Sequence, residues 1–364
     1  MIHLILSLDY EIFGNGAGDV MRDVVQPTHR VLRICDRHSA KMTIMFEVGE
    51  YWAFKQYDSQ LQKDLGYSPC ELMKRQAIDA VRRGHDVQLH LHPQWIGARY
   101  DKGEWQLCNS YWRLADLPAG LGSKSQITSI TGALHAGKET LENMIKPVEA
   151  DYGCVCFRAG GFYAQPSENI ISAMKRVGVR ADSSVVKGYK ADAPFAVDYS
   201  HAIVEKGCWW TSGTELTMEG RAGENVLELP VSCRMESYWK NFKVTKLRAT
   251  IKRRKAEKTS RLYHQANGST SSIPKYHVVL RNLVRKHAST FDFCKLSSKD
   301  MLDRIGEYVE LSEQPVVAIG HSKDFFNDRG LDQFLATVKH DKQVVFLCFS
   351  EFIERKVKNL DHER

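Results

Sequence analysis

Short apolar runs rich in Val, Ile, Leu and Phe recur along the chain with helical patterning between them, and this alternation leaves few architectures open. The runs are Ile2–Leu8, Met42–Val48, Asp86–Leu91, Cys154–Phe157, Val179–Asp182, Val226–Leu229, Val316–Ile319 and Val344–Cys348. Each has strand length and too few polar positions to leave one face in water, which suits a parallel sheet covered on both sides. The intervening patterns predict helices over Thr28–His38, Cys70–Arg82, Ile127–Ile145, Ser167–Arg176, Lys299–Leu311 and Leu331–Val338. Gly84 and Gly178 stand where two of them should end, because a glycine accepts the left-handed conformation of a helix C-cap. Seven or eight β/α units predict an α/β fold, a distorted barrel of the (β/α)7 type, whose chemistry would sit at the carboxyl ends of its strands.

Two stretches interrupt the rhythm of a single catalytic domain expected over residues 1–355. Residues 95–124 are rich in Trp, Tyr, Gly and Asn and read as an insertion over the strand ends. Trp95, Trp105, Tyr111 and Trp112 could stack on sugar rings or be buried beneath that loop. Residues 235–298 hold a basic cluster and the polar run Asn267–Ser272, for which mobility is the expectation. Between Arg234 and Lys286 there are 15 Lys or Arg against two acids, so this segment is +13 while the rest of the 364-residue chain is −6. Any anionic partner must therefore meet this one segment, unless it is simply a solvated insertion. It carries no nucleic-acid-binding motif, so nucleic acid is not the expected partner.

Nine scattered cysteines without a CxxC pair do not form a disulfide framework, and Cys154 and Cys156 read as buried strand residues. No apolar run nears the roughly 20 residues needed to span a bilayer. The apolar start Ile2–Leu6 meets Asp9 and Glu11 without a basic lead-in or a cleavage site, giving the expectation of a cytoplasmic protein.

The chemically suggestive residues lie just past the strands. His90 and His92, two apart at a strand end, can leave the same face and offer two of the three protein ligands of a catalytic zinc. Asp9 and Glu11 share a face by the same rule, so that one could bind a cation while the other takes a proton; either could instead cap the following loop. Arg158, Asp182 and His321 follow later strands, and a histidine there suits a general acid near neutrality.

Together these motifs resemble the polysaccharide deacetylases, the NodB-like carbohydrate esterases. Ser7–Glu11, Thr43–Gly49, Gly84–His90, Phe157–Phe162, Ala181–Ser184 and Ile319–Ser322 follow that family's motif order over most of the chain. The resemblance implies Asp9 as general base, Glu11 and His90 as metal ligands, Arg158 as the group orienting the base, Asp182 as the group tuning the acid, and His321 as that acid; His92 as the further ligand rests on the strand-face argument alone. It implies a divalent metal, Zn2+ before others, and hydrolysis of an N-acyl group on an aminosugar. The departures are a second acid at Glu11 rather than next to Asp9, metal histidines two rather than four apart, and Ala-Gly-Gly after Arg158.

An unexported enzyme would act on a cytosolic precursor of a surface polysaccharide, an acylated aminosugar linked to a nucleotide or a lipid diphosphate. The basic residues 235–287 would then suit a diphosphate carrier or peripheral contact with the inner membrane face. The rival readings are a metal amidohydrolase acting on a non-carbohydrate amide, and a glycan-binding relative without catalysis.

Overall fold

A computed structural model describes residues 1–191, 196–202, 206–237, 286–310 and 315–363. Nine strands form its main sheet: β1 (Ile2–Tyr10), β2 (Met42–Glu47), β3 (Asp86–Leu91), β4 (Cys156–Ala159), β5 (Ala181–Asp182), β6 (Trp209–Trp210), β7 (Leu227–Glu228), β8 (Val316–His321) and β9 (Val344–Phe346). Their order is β6-β7-β5-β4-β3-β2-β1-β8, with β9 also on β1, and every pairing is parallel except that of β6 with β7. Just past β7 the chain joins the two ends of this curled sheet. The Ser232 amide donates to the Val317 carbonyl and the Val317 amide to Ser232 Oγ, both at 2.9 Å. The distorted α/β barrel expected from the strand rhythm is thus present, with an antiparallel strand at one edge.

Alternation along the strands divides the apolar residues between two layers. Leu4, Leu6 and Leu8 of β1 and Ile44 and Phe46 of β2 face outward into the core shared with the helices. Ile5, Met45, Cys156, Ala181, Leu227 and Val317 face inward and meet Phe349, Phe352 and Ile353, which close the barrel floor. Cys156 is a buried free thiol of that floor and Cys154 belongs to the outer core. Thr43 and Asp86 accept the Phe349 and Ser350 amides at this floor, and a second polar layer lies at the carboxyl ends.

The helices are α1 (Gln26–Arg37), α2 (Val48–Gln56), α3 (Asp58–Leu65), α4 (Pro69–Arg82), α5 (Ile130–Ile145), α6 (Glu168–Val177), α7 (Ser298–Glu310), α8 (Asp328–Val338) and α9 (Phe349–Glu363). Ser68 and Ser129 cap α4 and α5 by accepting from the Glu71 and Gly132 amides, and Gly178 ends α6 at φ 75°. Helices α2, α3 and α9 were not expected. In α2 buried Val48, Gly49, Glu50, Tyr51, Ala53 and Phe54 surround much of the helix, so it shows no single apolar stripe. No helix among the described residues is long and apolar enough to cross a membrane.

Within 95–124 the chain forms a hairpin, Arg99–Asp101 with Glu104–Gln106, between short helical turns. Trp95 and Trp105 are buried in an aromatic cluster with Phe54, their ring centroids 5.2 Å apart, so these two belong to the core. Tyr111 and Trp112 are only half-buried. At the second interruption, Cys233–Ser237 and Lys286–Thr290 pair antiparallel. Residues 238–285, with most of the basic cluster and the polar run, lie outside the described residues, as do the expectations of membrane contact and mobility that fall on them.

Candidate active site

Six of the seven residues singled out from sequence meet at the carboxyl end of the barrel. Asp9 and Glu11 come from β1 and its exit, His90 and His92 from β3 and its exit, Arg158 from β4 and His321 from the end of β8. Asp9 and His321 are register partners, as are His90 and Arg158. All but His92 and His321 are buried.

The cation-ligand candidates converge on one carboxylate oxygen. Glu11 Oε2 lies 2.8 Å from His92 Nε2 and 3.3 Å from His90 Nε2. These three atoms are buried and have no hydrogen-bond partner. The other nitrogen of His90, Nδ1, lies 2.8 Å from the Arg158 carbonyl. A carbonyl only accepts, so Nδ1 carries the proton, and in the neutral ring Nε2 is the nitrogen left with a lone pair, the tautomer a metal ligand needs. His92 Nδ1 lies 3.1 Å from Gln94 Nε2, while Gln94 Oε1 has no partner. Turning that amide places Oε1 against Nδ1–H and gives His92 the same tautomer. A divalent cation fits this donor set of two imidazoles and a carboxylate.

The electrostatics agree. Burial alone would lower the His90 pKa, but Asp9, Glu11 and Glu47 push it up to about 9. The pocket calls for positive charge, which a proton or a cation supplies. Burial would raise the Glu11 carboxyl, yet Lys323 and the two histidines hold it well below its ordinary value.

Two supporting residues escaped the sequence reading. Glu47 completes a group of four with Glu11, His90 and His92 whose ligand atoms lie within 4.8 Å of one another. Its oxygens accept the Gly49 and His92 amides, each at 2.8 Å, so it also caps α2 and fixes the His92 backbone. The available signal was a single carboxylate ending an otherwise apolar strand. Lys323 Nζ lies 2.7 Å from Glu11 Oε1 and 2.8 Å from the Ile12 carbonyl, leaving Oε2 to face the histidines.

Asp9 sits beside this cluster. Arg158 Nη1 donates to its Oδ1 at 2.5 Å, and His321 Nε2 lies 3.5 Å from Oδ2. Arg158 is held in turn by the Ser183 carbonyl and hydroxyl and by Ser7 Oγ, at 2.9, 3.0 and 3.0 Å. Burial would raise the Asp9 carboxyl, but Arg158, His90 and His321 outweigh it and hold the pKa below its usual value. His321 lies at the rim, its pKa lowered by burial against the opposing pull of Asp9. The structure does not bring Asp182 to His321. Ala181 and Ser183 face the interior with Cys156 and Arg158, so the alternating Asp182 falls on the outer face. There it accepts from the Ser184 amide and hydroxyl at 2.8 and 2.9 Å.

Gly160, two residues after Arg158, makes room for the His92 ring. A Cβ on Gly160 would lie 2.4 Å from His92 Cγ and 2.5 Å from Nδ1. Gly160→Ala is therefore expected to displace the His92 ring and weaken divalent-cation affinity by about 10- to 100-fold, the usual scale for a disturbed ligand support. Competition with a chromophoric chelator measures this; unchanged affinity would show that His92 is not a ligand in this position.

No family model matches the chain, and no curated protein matches it. Among solved structures, one named as a glycoside hydrolase/deacetylase from Parabacteroides distasonis aligns at TM-score 0.51 and 8% identity, over 97% of this chain and 70% of that one. One named as a polysaccharide deacetylase from Mycobacterium smegmatis aligns at 0.46 and 11%, over 98% and 91%. The PuuE allantoinase aligns at 0.44 and 12%, over 98% and 89%. The chain thus shares the curled α/β fold of the first of these, in keeping with the fold that its motifs imply.

Proposed function

We propose that this chain is a divalent-cation-dependent amide hydrolase that removes an N-acyl group, acetyl first, from an aminosugar. The observation that carries the reading is the convergence of the unpartnered Glu11 Oε2, His90 Nε2 and His92 Nε2 beside an Asp9 fixed by Arg158. Glu11, His90 and His92 would hold the cation, with Zn2+ the best match to this donor set. When bound, it polarises the amide oxygen and brings the pKa of a water from about 15.7 towards neutrality.

The chain's own residues supply the rest. Asp9, kept ionised by Arg158, accepts the proton from the attacking water. Arg158 occupies Oδ1, so the other oxygen is the one free to act. His321, at the rim, donates to the departing amine; burial lowers its pKa and Asp9 at 3.5 Å opposes that fall. Amines leave poorly unless protonated, so this transfer belongs to bond cleavage. Asp182 supports the turn behind Arg158.

The substrate we infer is a cytoplasmic precursor of a surface polysaccharide, carried on a nucleotide or lipid diphosphate. The basic segment from Arg234 to Lys286 is the feature that suits such a carrier, at the inner membrane face for a lipid-linked one. Burial of Trp95 and Trp105 removes two candidate sugar-stacking surfaces and favours, as second reading, a non-carbohydrate amide. The test is release of acetate or formate from free, nucleotide-linked and non-sugar N-acyl amines. Release from the nucleotide-linked aminosugars is expected; release from the non-sugar amides alone would support the second reading and end the first.

A further inference from the structure

Behind Arg158 lies a second pair of carboxyl groups that the proposed reaction does not use. Asp182 of β5 and Glu228 of β7 are register partners on adjacent parallel strands, so their side chains lie next to one another on the outer face of the sheet, both fully buried. Two carboxylates side by side and out of water repel one another, so one of them carries a proton. The neighbouring contacts say which. Both Asp182 oxygens already accept from Ser184, whose amide and hydroxyl lie at 2.8 and 2.9 Å. Glu228 Oε1 accepts the Val185 amide at 3.2 Å, and its Oε2 is buried with no hydrogen-bond partner. A proton on Oε2 completes the arrangement.

We propose that Glu228 is a positioning residue that acts as a neutral acid, donating from Oε2 to Asp182 and thereby fixing the turn Asp182-Ser183-Ser184 on which Arg158 rests. Ser183 in that turn takes two hydrogen bonds from the Arg158 guanidinium, while Ser184 Oγ accepts the Ala159 amide at 2.9 Å. The turn is thus tied to β4 on both sides of the sheet. Burial, reinforced by the neighbouring Asp182 charge, pushes the Glu228 carboxyl well above its ordinary value. This role rests on the reading of Asp9 as base, because it reaches the chemistry only through Arg158.

The tests are Glu228→Gln and Glu228→Ala in the full chain. A glutamine can still donate to Asp182 and accept from Val185, so it mimics the neutral acid and not the carboxylate. Glu228→Gln is expected to keep kcat within a few-fold, whereas Glu228→Ala should lose about 100-fold, the scale of a reacting group moved by roughly 1 Å, with KM little changed. Equal impairment of both variants, or full activity of the alanine variant, overturns the proposal. An infrared difference spectrum of the wild-type chain minus Glu228→Gln provides a readout that needs no substrate and no foldable alanine variant. A protonated-carboxyl C=O band is expected, and its absence also overturns the proposal. If instead that band is present but the wild-type chain releases no acyl group from any substrate, it is the hydrolase reading that fails.

Discussion

Asp9→Asn is expected to lower acyl release by about 10²- to 10⁴-fold, the usual contribution of a positioned general base. Cation content should remain at the wild-type level, because Glu11, His90 and His92 are untouched. The substitution preserves size and leaves an oxygen for Arg158, so what it removes is the charge and the proton-accepting oxygen. It also leaves the fully buried Arg158 without its counter-charge. Breaking a buried pair in this way costs about 3–5 kcal/mol of stability, so the melting temperature should fall as well. Turnover must therefore be measured where near-ultraviolet circular dichroism shows the variant folded. Wild-type turnover in a folded Asp9→Asn chain would remove Asp9 as the base.

His90→Ala is expected to reduce cation content from close to one per chain to near zero after dialysis, as measured by atomic emission. His90 supplies one of the three unpartnered ligand atoms, and its Nδ1 proton is anchored on the Arg158 carbonyl. Its loss removes a ligand together with the hydrogen bond that orients it. With the fixed imidazole absent, Glu11 remains paired to Lys323, and one histidine with a salt-bridged carboxylate is a weak chelator. Full retention of the cation would place the binding site elsewhere.

Much of this was legible in the chain because strands buried on both faces are written as short apolar runs. The bounds of β3, Asp86–Leu91, follow directly from its residues, and the i, i+2 spacing placed His90 with His92 and Asp9 with Glu11. The same alternation accounts for what was not legible. Asp182 lies in β5 as Arg158 lies in β4, but parity sends it to the outer face, and parity depends on register rather than on residue type. Glu47 lay inside a run read as strand, and only contact with His92 shows its use. Gly160 reads in the sequence only as part of a departure from the family's motif, whereas in the structure a Cβ there would meet the His92 ring. Lys323 and Glu228 needed three-dimensional partners, Glu11 and Asp182, before they meant anything.

The central claim is that a cation held by Glu11, His90 and His92 is required for amide hydrolysis. It is tested most directly by acetate release from an N-acetylated, nucleotide-linked aminosugar, followed before chelation, after chelation, and after return of zinc. Loss of release on chelation and its recovery with zinc in the wild-type chain, but not in His90→Ala, is the predicted result. Release that persists undiminished after complete removal of the metal would contradict the account.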